Sequence, residues 1–250
     1  MRIAVISDIH GNVKALKAVL DDLAHQAPDA IVNLGDCVSG PLWPEETAVL
    51  LRDLGWPTVC GNHDRVVAAG NVPQDNRTDS FTEAALSAES LDWLRRLKPA
   101  IRFSDEIFLC HGTPRNDDAY LTEVIDGRGS ARTADEADIL HRLDGEKAGL
   151  ICCGHSHLPR VTHLPASGQT VLNPGSVGLQ AYSDATPTPH VMANHSPHAR
   201  YALIEEIKGT WTFILRAIDY DWQSAAQTAA ANSRPDWAHA LATGRMQDGA

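Results

Sequence analysis

The sequence predicts an α/β (α+β) fold in which two β-sheets pack together with helices on the outside. Three observations carry this. Short β-rich runs alternate with helical patterns through the first half, and the later part is mainly strands joined by tight turns. Of the 250 residues, 43% are hydrophobic and 21% charged, which is enough apolar material for a full core.

The elements follow in order. Arg2–Ser7 reads as a buried strand. Val13–His25 places Val13, Leu16, Val19, Leu20 and Leu23 at helical spacing. Ala30–Leu34 is the next strand, Glu45–Leu54 a helix and Thr58–Cys60 a short strand, a βαβαβ rhythm that implies a mostly parallel sheet covered by helices. Phe81–Leu97 forms one or two helices, closed by Lys98-Pro99. Ala100–Phe103 and Ile107–Cys110 flank a turn, and Thr133–Leu143 is helical. Leu150–Cys153, Arg160–His163, Thr170–Leu172, Tyr201–Glu206 and Thr210–Arg216 are strands. Ser183–His198, rich in Pro, His, Thr and Ala, reads as a long loop. Residues 1–218 are read as a single domain and 219–250 as a C-terminal tail, helical near Gln223–Asn232 and loosely ordered after Ser233-Arg234-Pro235.

Composition narrows the function classes. A formal net charge of −11 argues against a stable nucleic-acid complex, which needs a basic footprint. No run reaches the roughly 18 apolar residues of a membrane span. The apolar run at the N-terminus passes straight into Asp8, unlike a signal peptide. Five cysteines with no CxxC pair fit free thiols in a reducing, cytoplasmic compartment rather than a structural zinc site.

The strand ends are chemically unusual. "SDIHGN" places Asp8 and His10 one residue apart, so in extended chain both point to one side. "LGDC" puts Asp36 just past a strand, at the edge where α/β sheets bind ligands. "CGNHDR" supplies Asn62 and His63, "LCHGTP" supplies His111, and "CCGHSH" supplies His155 and His157. Turn preference explains Gly, Asn and Asp at such places, but not repeated histidine. Asp8, Asp36, Asn62, His10, His111, His155 and His157 are too many donors for one ion, whereas two ions sharing Asp36 can use them all. Imidazole with carboxylate suits Mn, Fe or Zn. Two such ions about 3.5–4 Å apart form a clamp for in-line displacement at phosphorus.

In order and spacing, "DIH", "GD", "GNH", "HG" and "GHSH" resemble the motifs of the calcineurin-like metallophosphoesterase superfamily. "HGTPR" and "NPGSVG" resemble its small bacterial and archaeal phosphodiesterase-type branch. The tail after 219 lies outside the resemblance. The family's fold would be a four-layer α/β/β/α sandwich of two mixed sheets. By position, Asp8, His10 and His157 would hold one cation and Asn62, His111 and His155 a second, with Asp36 bridging and manganese the first choice. The implied chemistry is attack by a metal-bridging hydroxide on a small phosphate ester.

His63 follows a ligand position and is the candidate proton donor to the leaving oxygen. Asn12 is read as the cap of the first helix and, with the helix amides, as a phosphate contact; Arg115 is a second candidate phosphate contact. Phosphoprotein phosphatases of the family carry Asp-Arg-Gly after the second motif, where this chain has Ser39 and Gly40. That argues against phosphoprotein specificity and against the related dinucleoside polyphosphate hydrolases. Some small phosphodiesterases have cysteine in place of His63; keeping histidine permits monoesters with poorer leaving groups. The reading is therefore a phosphodiesterase acting on a small or nucleotide-like ester. A phosphomonoesterase or dinucleoside polyphosphate hydrolase is the alternative, and a metal-binding interaction scaffold a more distant one.

Overall fold

Alternation along the first strand sets up the layers. In β1 (Arg2–Ile6), Ile3 and Val5 face one apolar cluster while Ala4 and Ile6 face another, so both sides of the strand are buried. The computed structural model describes residues 1–247. After β1 come α1 (Val13–Gln26), β2 (Ala30–Asn33), α2 (Pro44–Leu54) and three further helices: α3 (Asn62–Ala69), α4 (Arg77–Ala85) and α5 (Ala88–Arg96). Strands β3 (Ala100–Arg102) and β4 (Ile107–Cys110) lead to a hairpin of β5 (Glu123–Ile125) and β6 (Ala131–Thr133), then to α6 (Glu136–Arg142). The rest runs β7 (Leu150–Cys152), β8 (Arg160–Leu164), β9 (Gln169–Asn173), β10 (Ala181–Asp184), β11 (His190–Ala193), β12 (Ala199–Ile207), β13 (Thr210–Ile218), α7 (Trp222–Ala231) and α8 (Pro235–Thr243).

Two mixed sheets result. One has the order β13-β12-β1-β2, with β1 and β2 parallel and the other pairs antiparallel. The other has the order β3-β4-β7-β9-β8, with a parallel centre, β4-β7-β9, and antiparallel edges. Between them lies a core built from both, including Ile3, Val5, Ile204, Leu109 and Leu172. Outside the first sheet, Ala4, Ile6 and Tyr201 pack against α1, α7 and α8; outside the second, Cys110, Ile151 and Val171 pack against Ile139 and Leu143 around α6. The expected sandwich of two mixed sheets flanked by helices is what the chain forms.

Several elements differ from expectation. Thr58–Cys60 makes only single bridges, Asn33 to Thr58 and Val59 to Lys98, because the chain turns at once into α3. Thr133 ends β6, and helix begins only at Glu136, after the Asp135 N-cap. Ser183–His198 is not a plain loop: β10 and β11 pair from Ala181–Ala193 to Asp184–His190. Pro235–Thr243 is likewise not loose but forms α8, whose Trp237, Ala240 and Leu241 are buried in the apolar layer shared with Ala15 and Leu16; the last part of the expected loose tail, 248–250, lies outside the described residues. Burial of that face offsets the ordering entropy of a chain end.

Candidate functional site

The predicted donor residues meet where strands of both sheets end. Each imidazole is aimed by its far nitrogen. His10 Nδ1–H donates to Ser39 O at 2.8 Å, His111 Nδ1–H to Leu34 O at 2.7 Å and His157 Nδ1–H to Leu179 O at 2.7 Å. All three rings therefore present Nε2 to one another and to the carboxylates. His157 Nε2 lies 3.3 Å from Asp8 Oδ1, His111 Nε2 3.3 Å from Asp36 Oδ2, and His10 Nε2 3.8 Å from Asp36 Oδ2. His155 is held differently: its ring stacks on Tyr120 with centroids 4.8 Å apart, and Tyr182 OH donates to its carbonyl at 3.0 Å.

The backbone is bent to reach this arrangement. Asp8, His10, Asp36, His155 and His157 all have positive φ, from 51° to 67°. Asp and His tolerate that region better than most residues, at a cost on the order of 1 kcal/mol each. Such clustering of strain is characteristic of functional sites. The motif glycines are set by contact: a Cβ on Gly61 would stand 2.2 Å from Asp36 Oδ1, and one on Gly154 2.1 Å from Ser7 Oγ.

The electrostatics call for cations. Asp8, Asp36, His10 and His111 are all buried. Burial and the neighbouring His157 hold His10 down to about 4, and burial with His111 holds His155 down to about 3, so both rings are neutral and ligand-ready. At His111 burial opposes charge, but Asp36 and Asp8 raise it to about 10. Despite burial, His157 and His111 keep Asp8 below the usual carboxylate range, and His111 and His63 keep Asp36 well below it. Among the described residues Asp8 Oδ2 is buried without a hydrogen-bond partner. His10 Nε2 faces His157 Nε2 at 3.1 Å, an arrangement of lone pairs that needs a proton or a cation between them. Donor atoms of Asp8, His10 and His157 lie within 4.8 Å of one another, as do those of Asp8, Asp36 and His111. Hard and borderline donors converging in this way fit divalent ions of the Mn, Fe or Zn type.

Beside these donors opens a cavity of about 330 Å³, reached by His10, Asp36, Asn62, His63, His155 and His157. Residues 1–194 match the sequence pattern of the calcineurin-like phosphoesterase superfamily domain. The chain belongs to that superfamily. It is 28% identical to an uncharacterized protein of Methanocaldococcus jannaschii, with 94% of each chain covered. A metallophosphoesterase from Sphaerobacter thermophilus superposes with a TM-score of 0.78 at 25% identity, covering 98% of this chain and 100% of its own. A hypothetical protein from Pyrococcus horikoshii shares the fold, with a TM-score of 0.74 at 19% identity and 98% of this chain covered. The chain is thus a calcineurin-like metallophosphoesterase.

Within that superfamily site, most candidates from the sequence come together. Asn62 Oδ1 lies 3.0 Å from His111 Nε2, and His63 N–H donates to Asp36 Oδ1 at 3.0 Å. Asn62 and His63 open α3, so the helix start carries them, rather than a strand end as expected. Two expected phosphate contacts are corrected. Asn12 caps α1 as expected, Oδ1 accepting Ala15 N–H, but its Nδ2 donates to Gly178 O and Tyr220 OH and is thereby committed to the fold. It is buried and does not reach the cavity. Arg115 lies outside the cavity, exposed and paired with Asp144 at 2.9 Å, because Gly112 packs against the Asn116–Ala119 turn and carries the chain away from the site.

The sequence reading missed Asp79, whose Oδ1 lies 2.7 Å from His63 Nδ1 and whose side chain is 2% exposed. Asn76 caps α4 through Asp79 N–H and also donates Nδ2 to Asp79 Oδ2 at 2.7 Å. That Asn-x-x-Asp spacing before a helix was the available signal. It also missed the outer wall, formed by Tyr182 and Asp184 of β10 and by Arg234, Asp236 and Trp237 of the C-terminal segment.

Proposed function

We propose that this chain is a phosphodiesterase that hydrolyses a small or nucleotide-like phosphate ester with two divalent cations, manganese being the first choice. The observation that carries the reading is the convergence of the Asp8 and Asp36 donor groups beside a cavity into which His63 opens. Asp8, His10 and His157 would hold one cation, Asn62, His111 and His155 the other, and Asp36 would reach both. When bound, such cations supply Lewis acidity, neutralising charge on the phosphoryl oxygens and lowering the pKa of the attacking water. The fixed imidazole Nδ1–H bonds to backbone carbonyls keep the donors in place without reorganisation.

His63 would protonate the departing oxygen. Asp79 Oδ1 accepts a hydrogen bond from its Nδ1–H, leaving Nε2 for the cavity. Burial disfavours its charge, but Asp36 and Asp79 outweigh burial and raise it to about 9, and the Asp79 contact favours the imidazolium needed for donation. Support for a diester comes from the wall. Leu179, Ala181, Trp237 and Met246 offer apolar surface to a second organic substituent. Among the described lining residues the only Lys or Arg is Arg234, so the cavity offers a single guanidinium rather than the cluster of cations that would favour a monoester dianion. The net charge of −11 and the absence, among the described residues, of any helix long and apolar enough to cross a membrane support a small substrate handled away from nucleic acid and lipid, in the cytoplasm.

The test is turnover of bis(p-nitrophenyl) phosphate against p-nitrophenyl phosphate with manganese. The diester is expected to be the better substrate. The reverse ranking overturns the diesterase assignment, and no turnover of either by fully metal-loaded protein overturns the enzymatic reading.

A further inference from the structure

The C-terminal segment lies beyond the family match at residue 194, yet it contributes a cation to the cavity. Arg234 is the residue just before α8, and its side chain is only 11% exposed. Asp236 takes its Nε and Nη2 edge at 3.0 and 2.6 Å, Thr78 Oγ1 accepts from Nη1 at 2.7 Å, and the guanidinium lies 5.5 Å from the Trp237 ring centre. A guanidinium has more donors than these contacts use. Among the described residues, the remaining N–H groups of Nη1 and Nη2 have no partner. A guanidinium held in place this way, lining the cavity and with N–H groups to spare, is suited to a carboxylate or phosphate.

Its position indicates which part of a substrate it would meet. Thr78 and Asp79 are consecutive in α4: Asp79 fixes His63, and Thr78 fixes Arg234. Arg234 and His63 thus line the same cavity and are tied to the same start of α4, and His63 is the group that would protonate the departing oxygen. We propose that Arg234 recognises a second anionic group, phosphate or carboxylate, on the departing part of the ester. This assignment rests on the phosphoesterase reading above and narrows it to esters whose leaving alcohol is itself anionic.

Binding tests this without turnover. The probes are 3-phosphonopropionate and 4-phosphonobutyrate, with propylphosphonate and butylphosphonate as the uncharged-tail controls, titrated calorimetrically into metal-loaded protein. Wild type is expected to bind at least one carboxylate-tailed probe roughly 10- to 100-fold more tightly than its alkyl control, the range for a charged hydrogen bond. Arg234→Gln is expected to abolish that preference. Arg234→Lys, which keeps the charge and loses the fork, is expected to retain part of it and serves as the readout if the glutamine variant does not fold. No preference in wild type, or a preference unchanged in the folded variants, overturns the role of Arg234 alone. Failure of wild type to bind any phosphonate while holding its metals overturns the phosphoesterase reading, and this assignment with it.

Discussion

Asp79 Oδ1 accepts a hydrogen bond from His63 Nδ1 at 2.7 Å across sixteen residues of sequence, joining the start of α3 to the start of α4. The loop after the second motif carries no aspartate for this purpose, only Ser39 and Gly40; the partner arrives from a different segment. A buried carboxylate on the far nitrogen fixes the imidazole tautomer and raises its proton affinity.

That relationship predicts a pH effect. Asp79→Asn removes a charge that raises His63, so the His63 pKa falls and the alkaline limb of the kcat profile moves to lower pH. Turnover at neutral pH is expected to drop by about 10- to 100-fold, and His63→Ala by about 100-fold or more. Metal content, measured by elemental analysis, should stay near wild type in both. A large metal loss in His63→Ala would make His63 a ligand instead.

Cation removal should weaken the fold as well as the activity. Asp8 and Asp36 are buried close to one another, and each raises the other's cost of charge. Chelation is expected to abolish turnover and lower the melting temperature. Restoring manganese to about a hundredfold excess over Kd should return about 2.7 kcal/mol for each ion bound, or roughly 5–10 °C per ion for a chain of this size. Calorimetric scans check this, and elemental analysis should give two ions per chain. One ion per chain sinks the shared site.

Gly61 has no room for a side chain. A Cβ there would press on Asp36 Oδ1 at 2.2 Å, within the donor set itself. Gly61→Ala is expected to cost about 1–3 kcal/mol of stability and to lower metal affinity together. Gly145, whose Cβ would meet nothing within 4 Å although φ is +81°, should cost only the backbone strain when changed to Ala and leave metal binding intact. Urea midpoints and metal titrations of the two variants separate the effects.

Far from the site, Asp22 predicts an acid limit to stability. Its Oδ1 accepts from Arg216 Nη2 at 2.6 Å, and Tyr201 OH donates to Oδ2. Burial works against the carboxylate, but these hydrogen bonds, with Tyr201's the larger, hold its pKa below the ordinary value. A depressed folded pKa means the contribution is complete above the unfolded value of about 3.9 and is lost as pH falls through the folded one. Asp22→Asn should therefore lose roughly 1 kcal/mol at pH 7. The gap between variant and wild-type urea midpoints should begin to narrow below about pH 4 and go on narrowing as pH falls through the folded pKa; a gap that does not narrow with falling pH would contradict the linkage.

The sequence by itself determined the local chemistry. Strand ends at Asp8, Asp36 and His111 could be read because an apolar run stops abruptly at a polar residue, and that pattern is written in adjacent positions. The unbroken apolar run Ile3–Ile6 likewise foretold a buried strand. Only the tertiary structure decided which distant groups share a space. Asp79 meets His63, Arg234 meets Thr78, and Trp237 reaches within 5.9 Å of the His10 ring, contacts that span up to 227 positions and leave no periodic trace. The same holds for Asn12 and Arg115, whose types suit phosphate but whose packing commits them elsewhere. Side-chain type and spacing record what a segment can bind. Which cavity it faces is set by non-local burial, here of the C-terminal helix against α7 and β10, and that burial belongs to no single stretch of sequence.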